Sequence, residues 1–340
     1  MPKKKSVLIL YTGGTIGMCR TRKGYDIKPG YLEDIVSKVP QLQHPDLPKY
    51  IFKEYTPLLD SSNMQPSHWI QIAKDIYDNY SKYDGFIVLH GTDTLAYTAS
   101  ALSFMLRNLT KPVICTGAQI PIGDLRTDGA RHIIDSLLII KQFSLPEVCV
   151  YFHNMLLRGN RAQKVDSQSM KAFDSPNYPP LAEVGTHIRL NDDLLRKMPR
   201  GDLKMRAFRN PVIASTRLFP GISASVLEGI LSQNVKGLIL GTYGAGNAPS
   251  DNKDLLHVIR EASDAGVVIV NVTQCRKGSV YMESYATGNV LSDCGVISGY
   301  DMTHEAALAK LYYLFSANHT PARVRHFMLQ NLRGELTISD

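Results

Sequence analysis

Short apolar runs alternate along the first half of the chain with longer stretches in which apolar residues recur every three or four positions. The short runs are typical of buried strands, and the longer stretches have the period of an α-helix. Strands are predicted at 6–11, 85–89, 113–116 and 147–152, and helices at 67–81, 95–108 and 128–142. This alternation predicts a parallel sheet covered by helices.

The pattern fades between about 185 and 210, where charged and polar residues dominate, and then resumes. Further strands are predicted at 211–217, 237–240 and 267–272, and further helices at 223–233, 254–262 and 303–315. A chain of 340 residues is too long for one compact core. We therefore predict an α/β protein with a larger, flavodoxin-like parallel-sheet domain at 1–190, a linker at 191–210 and a smaller α/β domain at 211–340.

Charge and hydropathy argue against nucleic-acid and membrane partners. The formal net charge is +7, but apart from the lysines at 3–5 and a scatter at 196–209 the basic residues are dispersed. Dispersed charge predicts a solvated basic surface instead of a nucleic-acid groove. The apolar stretch at 7–10 is too short for a signal peptide, and no apolar run is long enough to span a membrane, so we expect a cytoplasmic protein.

Cysteine and histidine spacing indicates neither disulfides nor a metal site. The five cysteines are odd in number, scattered and never spaced C-x-x-C, which favours free thiols that are buried or half-buried. None of the ten histidines lies in an H-E-x-x-H spacing. We expect no metal and no cofactor.

Glycine and hydroxyl residues follow three successive predicted strands. They read TGGTIG at 12–17, HGTDT at 90–94 and TGAQIP at 116–121. In a parallel sheet these carboxyl ends border the crevice where ligands bind, and glycines let the backbone approach a small ligand closely. The glycine spacing fits neither a dinucleotide fingerprint nor a P-loop, and residues 20–30 are interpreted as a polar loop.

Thr15 is the candidate nucleophile of this crevice. A threonine hydroxyl is a poor nucleophile unless a base or a hydrogen-bond relay accepts its proton. Thr92 and Asp93 supply a second hydroxyl and a carboxylate at another strand end, and Lys164 follows the fourth strand. Thr15 as a helix-capping residue is the alternative. His90 is interpreted as a core histidine instead of a catalytic base.

Five stretches together resemble the bacterial-type L-asparaginase family, with the closest similarity to its cytoplasmic type I branch. They are YTGGTIGM, GFIVLHGTDTLAYTASALSFML, TGAQIPIGDLRTDG, RGNRAQKVDS and YGAGNAPS, and the similarity covers nearly the whole chain. The resemblance implies two α/β domains, a homodimer or dimer of dimers, and hydrolysis of L-asparagine to L-aspartate and ammonia without a cofactor.

The resemblance also implies a role for individual residues. Thr15 would attack the side-chain amide carbon and form a β-acyl-enzyme, and Tyr25, in a mobile loop, would close over the substrate and assist it. Thr92, Asp93 and Lys164 would transfer protons and position the substrate. The residues implied to bind the substrate are Asp60, Ser61, Ser62, Thr92, Asp93 and Ala118.

Two other functions remain open at this point. One is the ammonia-generating subunit of a tRNA-dependent amidotransferase, which carries an extra domain before the threonine motif, whereas Thr15 lies near the start of this chain. The other is a non-catalytic amino-acid-binding protein. Thr15, Thr92, Asp93 and Lys164 are all present, and a decayed enzyme would usually have lost one of them.

Overall fold

A computed structural model describes residues 4–22, 24–282 and 286–338. The chain divides into two compact units, Met1–Arg206 and Ala207–Asp340. Each unit is built around its own buried apolar core.

The first unit alternates strands and helices. Its helices are α1 (Tyr31–Lys38), α2 (Pro66–Asp78), α3 (Leu95–Met105) and α4 (Gly129–Gln142). Its strands are β1 (Ser6–Gly13), β2 (Met18–Thr21), β3 (Gly24–Ile27), β4 (Lys49–Leu59), β5 (Gly85–Leu89), β6 (Leu106–Arg107), β7 (Val113–Thr116), β8 (Val148–Phe152), β9 (Met155–Arg158), β10 (Gln163–Lys164), β11 (Phe173–Asp174), β12 (Ala182–Val184), β13 (Ile188–Leu190) and β14 (Lys204–Met205).

Within the described residues, eight of these strands form one sheet in the order β13-β12-β9-β8-β7-β5-β1-β4. Five neighbouring strands of this order, β8, β7, β5, β1 and β4, are parallel to one another. The other three strands, β9, β12 and β13, each pair antiparallel with their neighbours. Numbered along the chain, the parallel strands have the 2-1-3-4-5 order of a flavodoxin-like sheet. The predicted fold class is therefore confirmed. The chain order reverses at β1, whose neighbours are β4 and β5, and ligands bind at such a switch point.

The burial of their residues explains which strands the hydrophobic pattern predicts. Every residue of β5, β7 and β8 is buried, so these strands read as continuous apolar runs. The edge strand β4 mixes exposed, half-buried and buried positions, and the apolar pattern did not predict it. The segment interpreted as a polar loop at 20–30 contains β3 and part of β2, which pair as an antiparallel hairpin. Half-exposed strands of four residues carry too weak a periodicity to detect.

The second unit has a parallel sheet in the order β15 (Ile213–Arg217), β16 (Gly237–Thr242), β17 (Val268–Thr273) and β18 (Ile297–Ser298). Its helices are α5 (Ala224–Leu231), α6 (Lys253–Asp264), α7 (Ala286–Asp293), α8 (His304–Phe315) and α9 (Pro321–Met328). In the described part of the chain, no helix is both long enough and apolar enough to cross a membrane.

All five cysteines are free thiols. Cys115, Cys149 and Cys294 are buried and Cys19 is half-buried, as expected, but Cys275 is exposed. Cys275 lies in a polar segment directly after β17, and a polar segment is not buried as an apolar run would be.

A fully buried ion pair joins α8 to the C-terminal segment. The Lys310 ammonium lies 2.6 Å from the Glu335 carboxylate, and neither side chain is exposed. Lys310 also donates to the carbonyls of Met328 and Gln330. Burial alone would raise the pKa of Glu335, but Lys310 and two backbone N–H groups lower it.

Replacing Lys310 with Met should destabilise the protein by about 3–5 kcal/mol, because Glu335 would stay buried without its counter-charge. Lys74→Met is the matched control, since the Lys74–Asp78 pair is exposed on one helix face and its loss should change stability far less than the loss of Lys310. Urea denaturation followed by far-UV circular dichroism measures both changes. Equal urea midpoints for the two variants would contradict this account of the ion pair.

Candidate functional site

Loops after β1, β4 and β5 touch one another at the carboxyl end of the sheet. A Cβ atom added to Gly14 would lie 2.4 Å from the Gly91 Cα, and one added to Gly91 would lie 2.4 Å from the Ser61 Oγ. Any larger residue at either position would push the loops apart. Thr15 and Thr92 each follow one of these glycines, so the contact sets how far apart their backbones lie.

Two hydrogen bonds extend this contact. The Thr94 hydroxyl, in the loop after β5, donates to the Ser61 carbonyl at 2.7 Å. The Ile122 N–H, in the loop after β7, donates to the Ile16 carbonyl at 3.0 Å. Four strand ends are thereby tied together around Thr15 and Thr92.

Lys164 connects the second threonine to a carboxylate. Its Nζ donates to the Thr92 Oγ1 at 2.8 Å and to the Asp93 Oδ1 at 2.7 Å. Thr92 is buried and the Lys164 side chain is 20% exposed, whereas Asp93 is 62% exposed. The cluster therefore runs from the interior of the unit to its surface, with the ammonium in the middle.

The predicted substrate-binding residues lie on the same loops. The Asp60 carboxylate accepts the N–H of Ser62 at 3.0 Å and so caps the short turn at 61–63. Ser61 is buried against Gly91, and Asp60 and Ser62 are exposed. This arrangement places one carboxylate and one exposed serine beside a buried serine.

Ala118 is buried in the loop after β7, and Asp128 holds that loop in place. The Asp128 carboxylate accepts the N–H groups of Gln119 and Ile120 at 3.0 to 3.1 Å. We did not predict Asp128 as a site residue. The sequence feature that could have indicated it is its position at the N-cap of α4, because a carboxylate at such a position can accept free backbone N–H groups.

Tyr25 lies on β3 and its hydroxyl donates to the Asp124 carboxylate. This contact joins the β2–β3 hairpin to the loop after β7. The hydrogen bond to Asp124 raises the pKa of Tyr25, and the side chain is 49% exposed. Asp124 was not predicted either, since nothing in the spacing links it to a residue about a hundred positions earlier.

His90 is the last link of a buried hydrogen-bond chain. The Trp69 Nε1 donates to the Thr98 hydroxyl at 3.0 Å, which donates to the His90 Nε2 at 2.8 Å, and the His90 Nδ1 donates to the Gly91 carbonyl at 2.7 Å. These partners assign the Nδ1–H tautomer. Burial lowers the pKa of His90 to about 4, so the ring is neutral near pH 7. The contacts support its interpretation as a core histidine.

Comparison with known families finds two matches along the chain. The sequence model described as "Asparaginase, N-terminal" matches residues 6–196. The one described as "Glutaminase/Asparaginase C-terminal domain" matches residues 213–328. The two matches together cover most of the sequence.

Individual proteins match over similar lengths. L-asparaginase 1 of Escherichia coli strain K12 is 49% identical over 338 residues, which is 99% of this chain and 100% of that protein. The crystal structure of L-asparaginase I from Vibrio cholerae has a TM-score of 0.91 at 47% identity and covers 98% of this chain and 100% of that one. The thermostable L-asparaginase from Thermococcus kodakarensis has a TM-score of 0.89 at 32% identity, with coverage of 98% and 100%.

The low pKa of His90 predicts a specific pH dependence of stability. The folded protein keeps this ring neutral, whereas the unfolded chain protonates it below about pH 6.5. Its contribution to stability is therefore present above pH 6.5 and is lost as the pH falls toward 4. Between pH 7 and 5 the wild-type protein should lose about 2 kcal/mol more than His90→Gln.

Urea denaturation at the two pH values, followed by Trp69 fluorescence, measures this difference. His257→Gln is the matched control, because that side chain is 69% exposed, and it should keep the wild-type slope. A His90→Gln variant with the wild-type pH slope would show that the ring does not stay neutral in the folded protein.

Proposed function

Because the chain belongs to the asparaginase family, we propose that it hydrolyses the side-chain amide of L-asparagine to give L-aspartate and ammonia. One observation carries the proposal: Lys164 binds both Thr92 and Asp93 on a loop whose Gly91 packs against the residue before Thr15. This arrangement supports a site in which a hydroxyl, an ammonium and a carboxylate are in contact and the Thr15 backbone lies beside their loop. Neither alternative function is favoured by the comparisons.

Thr15 is the proposed nucleophile. Its hydroxyl oxygen would bond to the amide carbon, the C–N bond would break, and the nitrogen would leave as ammonia after gaining a proton. Water would then cleave the resulting ester, releasing aspartate and restoring the Thr15 hydroxyl. Both half-reactions need a group that first removes a proton from the attacking oxygen and a group that supplies one to the leaving atom.

The Thr92 hydroxyl is suited to relay that proton, since it would pass its own proton to the leaving nitrogen as its oxygen accepts the proton of Thr15. Lys164 donates to its oxygen, which leaves the Thr92 proton directed away from the ammonium. The positive charge beside the oxygen would stabilise any negative charge that develops there. Asp93 holds the ammonium from the opposite side and, being mostly exposed, can also face the α-ammonium of the substrate.

The remaining proposed site residues would recognise the amino-acid part of the substrate. Asp60 and Asp93 would bind the α-ammonium group, and Ser61 and Ser62 would bind the α-carboxylate. The backbone at Thr92 and Ala118 would hold the amide group and its developing oxyanion. A simple amide lacks both charged groups and would be a poor substrate.

Tyr25 is proposed to act on Thr15 from the hairpin. Its hydroxyl proton is donated to Asp124, so its oxygen lone pairs are available to accept a hydrogen bond from Thr15.

We also propose that the protein is cytoplasmic and acts as a homodimer or dimer of dimers, on the basis of the family resemblance.

Thr15→Val and Thr92→Val should each lower ammonia release from L-asparagine by about 10³-fold or more, because valine keeps the shape and removes the hydroxyl. Lys164→Met should have a comparable effect. Thr186→Val is the control, since Thr186 is exposed in the turn between β12 and β13. A coupled ammonia assay with asparagine and glutamine side by side measures rate and selectivity. A folded Thr15→Val protein with normal turnover would exclude Thr15 as the nucleophile.

Asp124→Asn should lower kcat/KM by about tenfold, because a neutral amide holds the Tyr25 hydroxyl less firmly than a carboxylate does. In a Tyr25→Phe background the same substitution should have almost no effect, because the group that Asp124 holds is already absent. Asp26→Asn, on the same strand as Tyr25, is the control and should be neutral. Equal losses in both backgrounds would show that Asp124 does not act through Tyr25.

A further inference from the structure

A second buried histidine, His132 on α4, holds the loop after β7. Its Nε2 accepts the N–H of His153 at 3.2 Å, so the ring proton lies on Nδ1, which donates to the Gly117 carbonyl at 2.8 Å. The ring packs against the aromatic rings of Tyr151 and Phe152, with centroids 5.7 Å and 4.5 Å away. The imidazole is therefore fixed in position as well as in tautomer.

His90 makes the equivalent contact in the loop after β5. Both histidines donate from Nδ1 to the carbonyl of the first glycine after a strand, Gly91 in one loop and Gly117 in the other. In both rings Nδ1 faces a carbonyl that can only accept, which assigns the proton to Nδ1 and leaves Nε2 to accept from Thr98 or His153. The two loops thus share one device, although their histidines come from different elements.

Each held carbonyl fixes the direction of the N–H group that follows it. The Gly91–Thr92 and Gly117–Ala118 peptides are trans, so the C=O and the next N–H point in opposite directions. Each histidine thus turns the next N–H away from its own ring. Within the described part of the chain, the N–H groups of Thr92 and Ala118 donate to no other residue.

We propose that His90 and His132 are positioning residues that aim the Thr92 and Ala118 N–H groups at the oxygen of the scissile amide. The inference rests on the proposed function, because it assigns these two N–H groups to the oxyanion that forms when Thr15 attacks. Such donors stabilise a transition state only if they are oriented before the reaction, and a backbone N–H in a glycine-containing loop is otherwise free to rotate with its peptide plane. Neither imidazole exchanges a proton in this scheme.

Substituting each histidine with Asn or with Gln tests whether the position of the donor nitrogen matters, and not only its polarity. The amide nitrogen of Asn occupies nearly the place of Nδ1, whereas that of Gln occupies nearly the place of Nε2. His132→Gln should lower kcat by about 10² with KM changed less than about threefold, which is the cost of losing one oxyanion donor. His132→Asn should recover most of that loss. His90→Gln and His90→Asn should show the same order, and His257→Gln should match the wild-type protein.

These measurements distinguish a failure of the positioning role from a failure of the proposed function on which it rests. A wild-type protein that releases no ammonia from L-asparagine would overturn the proposed function. A wild-type protein that is active, with Gln and Asn variants equal in kcat or differing only in KM, would overturn the positioning role alone. If a Gln variant does not fold, ¹⁵N NMR of the wild-type histidines decides the point, since both rings must carry the proton on Nδ1 and an Nε2–H tautomer at either would contradict the proposal.

Discussion

The close approach of Gly14 to Gly91 is the constraint on which the geometry of the site depends. Parallel strands place their carboxyl ends at one edge of the sheet, but side chains would normally keep the loops beyond those ends apart. With no Cβ atom at either position, the two backbones touch, and Thr15 and Thr92 are the residues that follow this contact on the two loops. Ser61 packs against Gly91, which adds the loop after β4 to the same contact.

The site combines this rigid backbone with a gradient of burial. His90 and His132 lie in the interior, where burial lowers the pKa of each ring and keeps it neutral, so that they serve as fixed hydrogen-bond donors. Lys164 lies nearer the surface and keeps its contacts with Thr92 and the exposed Asp93. Neutral groups in the interior thus hydrogen-bond to the loop backbone, whereas the charged groups lie nearer the solvent, where the proposed function would have them bind a charged amino acid.

The sequence predicted most of the strands whose residues are all buried, because a short continuous apolar run bounded by turn residues is typical of a strand covered on both faces. It did not predict β4 or the β2–β3 hairpin, since their half-exposed positions mix apolar and charged residues. The loop motifs indicated Thr15, Thr92 and Asp93 because glycine and hydroxyl residues at strand ends are unusual. Asp124, Asp128 and His132 were missed as site residues, because their importance lies in a contact with a distant backbone group or hydroxyl that no local spacing records.

Thr15 is proposed to form the covalent bond to the substrate at this glycine contact. Acid quenching of the enzyme during turnover of L-asparagine, followed by digestion and mass spectrometry, locates the acyl group directly. We expect an aspartyl ester on the peptide that contains Thr15. An aspartyl ester on the Thr92 peptide, or on any peptide other than that of Thr15, would contradict the assignment of Thr15 as the nucleophile.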